Sequence, residues 1–80
     1  MKLRNFEQRE AYRFLLIFEN GEARDADLQG LIGKHVDMNS LDTGRIDPEW
    51  GCLEFLNGGV DIEPKTLYRY ACAAEEKRAA

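Results

Sequence analysis

The sequence predicts an α+β fold, a small antiparallel β-sheet of two hairpins in meander-like order packed against a C-terminal α-helix. Three observations predict it. Tyr12 to Leu28 alternates apolar and polar residues around Asn20-Gly21, a pair suited to the positive φ of a tight turn. A second pair of short apolar runs flanks Asp47-Pro48-Glu49-Trp50-Gly51, and from Pro64 onward Leu67, Tyr68, Tyr70, Ala71 and Ala74 recur at helical spacing. With 80 residues the chain reads as one domain, 1–80, with one core.

Residues 1–10 are polar and offer an extra strand beside the first hairpin. That hairpin, 11–28, has two candidate registers. A two-residue turn at Asn20-Gly21 would put Asp27 opposite Phe14 and Asp25 opposite Leu16, placing two carboxylates on the apolar face. A three-residue turn with Gly21 in the left-handed bulge position instead pairs Phe18 with Glu22, Leu16 with Arg24, Phe14 with Ala26 and Tyr12 with Leu28. Arg13 then faces Asp27. The bulged turn follows, with Tyr12, Phe14, Leu16 and Phe18 toward the core. Leu15 and Ile17 fall on the reverse face, where the N-terminal segment is expected to cover them, with a homodimer or a partner as the alternatives.

Leu28, Leu31 and Ile32 mark one helical turn closed by Gly33. Lys34 to Thr43 reads as a loop held to the core by Val36, Met38 and Leu41. The second hairpin spans 44–56, its turn a type I turn with Pro48 in the first position and Gly51 at positive φ. Asn57-Gly58-Gly59 turns the chain again. Val60 to Glu63 leads into a helix over 64–78, which begins on Pro64, where a missing N–H costs nothing, and ends with Lys77 and Arg78.

The composition, 44% hydrophobic and 32% charged, is that of a globular domain. No apolar run resembles a membrane span or signal peptide, so a cytoplasmic protein is expected, with no membrane partner. The net charge of −4 is segregated. Residues 19–63 hold eleven acids against Arg24, Lys34 and Arg45, net −8, and the flanks carry +4. An acidic middle disfavours direct contact with nucleic-acid phosphates and favours a partner protein with a basic surface, a solvated acidic face being the commoner use of such charge.

No catalytic or metal set emerges, and no cofactor is expected. Cys52 and Cys72 fit no metal or redox spacing and read as reduced thiols packed as small hydrophobes; His35 reads as a loop residue. Asp25 and Asp27 share a strand face that could hold a cation, but such pairs are usually solvated. Asp61 and Glu63, just before Pro64, suit helix capping better than catalysis. Gly58-Gly59 lacks phosphate-loop spacing.

Phe18-Glu19-Asn20-Gly21-Glu22, then Asp27-Leu28 and Leu31, then Phe55-Leu56-Asn57-Gly58-Gly59-Val60-Asp61-Ile62-Glu63-Pro64-Lys65-Thr66-Leu67-Tyr68, together resemble the bacterial family called domain of unknown function 2442. The resemblance runs from about Tyr12 to Tyr70. The chain departs from the family pattern in having Phe55-Leu56 where the family has Trp-Pro, and in a shorter segment over Lys34 to Thr43. The resemblance implies the same small fold, and a setting beside a second small protein in toxin and antitoxin style pairs or a fusion to a helix-turn-helix. It brings no catalytic residues.

The expected function is therefore a non-enzymatic, acidic protein-interaction module, an antitoxin-like or phage anti-defence (anti-CRISPR-like) inhibitor of a basic nucleic-acid-handling protein. Its expected partner-binding residues are Asp25, Asp27, Asp47, Glu49, Trp50, Glu54 and Tyr68, with Trp50 and Tyr68 as aromatic anchors. The alternative is an accessory to a DNA-binding regulator, with Lys2, Arg4, Arg9, Lys77 and Arg78 touching phosphate. A small hydrolase or metal enzyme ranks last.

Overall fold

The computed structural model describes residues 1–79, and side chains over 1–75. It is an α+β fold in which two separate three-stranded antiparallel sheets share one core with a C-terminal helix. The first sheet has the order β1 (Leu3–Gln8), β2 (Arg13–Phe18), β3 (Ala23–Asp27), and the second β4 (Arg45–Ile46), β5 (Leu53–Phe55), β6 (Val60–Ile62). A short helix α1 (Gln29–Ile32) follows β3, a 3₁₀ helix (Met38–Thr43) precedes β4, and α2 runs Pro64–Ala79.

The first hairpin takes the bulged register throughout. Arg13 pairs with Asp27, Phe14 with Ala26, Leu15 with Asp25, Leu16 with Arg24 and Ile17 with Ala23. Gly21 has φ +89°, and its N–H reaches the Phe18 carbonyl at 2.9 Å. The excluded register would have buried two carboxylates, so burial energy and turn chemistry select the same pairing.

Phe14, Leu16 and Phe18 are fully buried, in one core with Ala26 and with Leu67 and Ala71 of α2, which packs along β3. The second sheet closes the other side of this core through Leu53, Phe55 and Ile62, with Phe55 edge-on to Phe14 at 6.0 Å. The two sheets meet at a corner, where the Leu3 N–H bonds the Gly51 carbonyl at 3.1 Å.

Four expectations are corrected. The N-terminal segment does not cover Leu15 and Ile17: it is β1, paired in plane with β2, because its backbone groups find partners only along that edge. The two side chains are half-buried between their strand neighbours. Val60–Ile62 is a paired strand and not a lead-in to the helix. The turn of the second hairpin is one residue longer than a type I turn, closing from the Gly51 N–H to the Asp47 carbonyl at 2.8 Å, with Gly51 at φ +72°. Met38 is exposed, since the 3₁₀ helix turns Leu41 inward in its place. The parts expected of Lys77 and Arg78 lie outside the described side chains.

Candidate protein-interaction surface

The side chains of the second sheet divide by strand alternation. Ile46, Leu53, Phe55, Val60 and Ile62 face the core or its margin. The opposite face follows from the register: Arg45, Glu54 and Asp61 lie in one cross-strand row, Asp47 and Cys52, joined by the Asp47 N–H to the Cys52 carbonyl at 2.9 Å, come next, and Glu63 stands just past the end of β6 near Cys52. This outer face holds four carboxylates and one guanidinium. Over residues 37–63 there are seven acids against Arg45 alone, net −6, so the acidity of the whole chain is concentrated in this half.

Arg45 is already engaged, its Nε donating to the Glu54 carboxylate. Glu54 is only 8% exposed, lying between Arg45 and Asp61 in the cross-strand row. Beside it, burial together with the neighbouring Asp61, Asp47 and Glu63 carboxylates pushes the Cys52 thiol up to about 11. Cys52 is thus a neutral, buried thiol at ordinary pH, as a structural cysteine should be.

At the tip of the β4–β5 hairpin stand Glu49 and Trp50, both exposed, Trp50 at 66%. The tip is well braced. Asp47 Oδ1 accepts the Glu49 N–H at 3.0 Å, and the Gly51 backbone lies against Lys2, the residue before β1.

Of the seven residues the sequence nominates, the structure brings Asp47, Glu49 and Trp50 together. Asp25 and Asp27 belong to the other sheet. Asp25 accepts from Arg13 at 2.9 Å, while Asp27 accepts the Gln29 N–H through Oδ1 at 2.9 Å and the Tyr70 hydroxyl through its carbonyl at 3.1 Å. Glu54 is in the second sheet but buried. Tyr68 turns inward, its ring edge-on to Phe18 at 5.2 Å, its hydroxyl donating to Glu22 at 2.8 Å, and Arg24 set 5.6 Å over its face. Arg24 also bridges to Glu22 and to Glu75, tying β3 to α2. The Tyr68 hydroxyl bond, with Asn20 and Arg24 adding to it, holds the Glu22 carboxyl below the usual carboxylate range. Asp61 and Glu63 were missed as members of the acidic face. Their signal was the alternation Val60-Asp61-Ile62-Glu63, which a strand reading makes one acidic side.

Among the described residues no group of three or more His, Cys, Asp or Glu is arranged to hold a metal ion, and no helix is long and apolar enough to cross a membrane.

These features define a class, a small α+β domain that presents one aromatic side chain beside an acidic sheet face. The chain belongs to the family described as Protein of unknown function (DUF2442), whose model matches residues 4–72. No curated protein and no solved structure matches it.

Proposed function

We propose that this protein is a non-enzymatic interaction module, antitoxin-like or of the phage anti-defence kind, that docks through the β4–β5 hairpin onto a nucleic-acid-handling protein with a basic surface. The observation that carries this reading is Trp50. A tryptophan 66% exposed on a braced turn gives up apolar contact with its own core, and tryptophan is among the residues that most often dominate interface energies. Asp47 and Glu49 beside it, and Asp61 and Glu63 on the adjoining face, supply the charge that would steer a basic partner into contact.

The test begins with a partner recovered from the host and repurified, and compares three forms of this protein against it. Trp50→Ala should weaken affinity by about 30-fold or more, mainly through faster dissociation, in line with the roughly 2 kcal/mol that marks an anchor residue. Asp47→Asn with Glu49→Lys keeps the Oδ1 acceptor that caps the turn, and should slow association and flatten its salt dependence. Equal affinity of all three forms at low and at high salt would remove the hairpin from the interface.

A further inference from the structure

The geometry points to β6 as a docking edge for an extended, basic segment of a partner protein, added to the second sheet as a fourth strand. This deepens the interaction-module reading and rests on it, but uses a different edge of the molecule from the Trp50 turn.

The free edges of the two sheets are not equivalent. On β1 the Leu3 N–H is taken by the Gly51 carbonyl, and the Phe6 N–H by the Asn5 side chain at 2.8 Å. On β3 the Tyr70 hydroxyl caps the Asp27 carbonyl, and α2 packs along the strand. β6 is one of the two outer strands of its sheet, β4 being the other, and among the described residues no such bond caps the Asp61 N–H or carbonyl.

Its hydrogen-bonding phase follows from the hairpin. The Asp47 N–H bonds the Cys52 carbonyl at 2.9 Å, so Cys52 and Glu54 direct their backbone groups at β4, while Leu53 and Phe55 direct theirs at β6. Leu53 pairs with Ile62 and Phe55 with Val60, which leaves the Asp61 N–H and carbonyl pointing away from the sheet.

Beside this edge lies a cleft of about 270 Å³ between β6 and α1, lined by the apolar Leu31, Ile32, Val60 and Ile62 and also by the acidic Asp61 and Glu63. A strand added here would place alternate side chains on opposite faces. One set would lie on the outer face beside Asp61 and Glu63, where lysine or arginine is favoured. The other set would enter the cleft, where an aliphatic side chain fits. The segment is therefore one in which basic and aliphatic residues alternate. A second copy is a poor occupant, because antiparallel pairing of β6 with itself sets Asp61 against the partner's Asp61 or the partner's Glu63, like charges directly opposed.

The probe is the peptide Lys-Val-Lys-Val-Lys-Val-Lys, titrated into the full chain and followed by amide NMR. Binding should slow exchange of the Asp61 N–H and shift Leu31, Ile32, Val60 and Ile62. N-methylation of alternate peptide amides should weaken it by about tenfold or more, since the added strand is held by backbone bonds. Asp61→Pro removes the outward N–H without touching the β5 pairing and should do the same. Asp61→Lys keeps that N–H and should reverse the preference toward the glutamate version of the peptide, so the assignment does not depend on one variant folding. Equal binding of the N-methylated peptide, no binding of either peptide, or shifts centred on Trp50 would overturn it. So would a dimer in sedimentation that Asp61→Pro dissolves, which would give the edge to a second copy. Failure of the peptide removes the β6 edge alone, whereas the Trp50 reading fails only against the intact partner.

Discussion

Gly51 and Gly21 form a matched pair whose substitution by alanine separates backbone strain from steric contact. Both have positive φ, +72° and +89°, so alanine at either takes on about 1–2 kcal/mol of left-handed strain. Alanine also removes freedom from the unfolded chain, returning about 0.4–1 kcal/mol. Around Gly21 nothing lies within 4 Å of the added Cβ, and the net cost there should be about 1 kcal/mol. At Gly51 the Cβ would lie 2.4 Å from Lys2 Cβ and 3.0 Å from Lys2 Cα. Lys2 cannot retreat freely, because the Leu3 N–H is bonded to Gly51 and the Lys2 carbonyl accepts the Glu19 N–H at 2.9 Å. Overpacking of this kind adds about 1–3 kcal/mol, for a total near 2–4 kcal/mol. Against the roughly 4–12 kcal/mol expected for a domain of this length, that is a large loss. Urea unfolding of Gly21→Ala and Gly51→Ala should show midpoints lowered in that order with unchanged slope, and melting temperatures falling by about 4–8 °C per kcal/mol. Equal midpoints would mean that the corner joining the two sheets is not closely packed.

Glu54→Lys should cost about 2–3 kcal/mol in the same assay, less than a fully buried pair because Arg45 is exposed, and Glu54→Gln less than half of that. Cys52 should resist iodoacetamide at pH 8 in the folded protein and react on unfolding. Its folded value lies above the ordinary thiol value of about 9, so its contribution to stability is complete below that pH and is lost as pH rises toward 11. Glu22 is shifted the other way: its contribution is present above the ordinary carboxylate value and is lost as pH falls below it, so Glu22→Gln should flatten the acid limb of a pH-stability curve. Trp50→Ala should melt within about 0.5 kcal/mol of the unaltered protein, as an exposed side chain does; a larger loss would place Trp50 in the fold instead of at an interface.

The local chemistry of the chain determined the first hairpin, the helix and the family. Asn20-Gly21 together with the positions of Asp25 and Asp27 admits one register, because the other buries charge, and Pro64 with its apolar stripe admits a helix; both choices involve neighbours in sequence. Tertiary structure decided the rest of the site. Val60–Ile62 is too short to be told from a helix lead-in until β5 offers it a partner, and that pairing puts Asp61 on an acidic sheet face, while Glu63, whose carbonyl accepts the Leu67 N–H at 3.0 Å, does stand at the start of α2. Tyr68 is an anchor on the helix by sequence, but Phe18, Glu22 and Arg24 come to it from the distant hairpin and turn it inward. Glu54 looks like one more surface acid until strands on both sides bury it. In each case the deciding energy is the burial of a side chain against residues remote in the chain, and residue type and spacing do not report which remote residues those are.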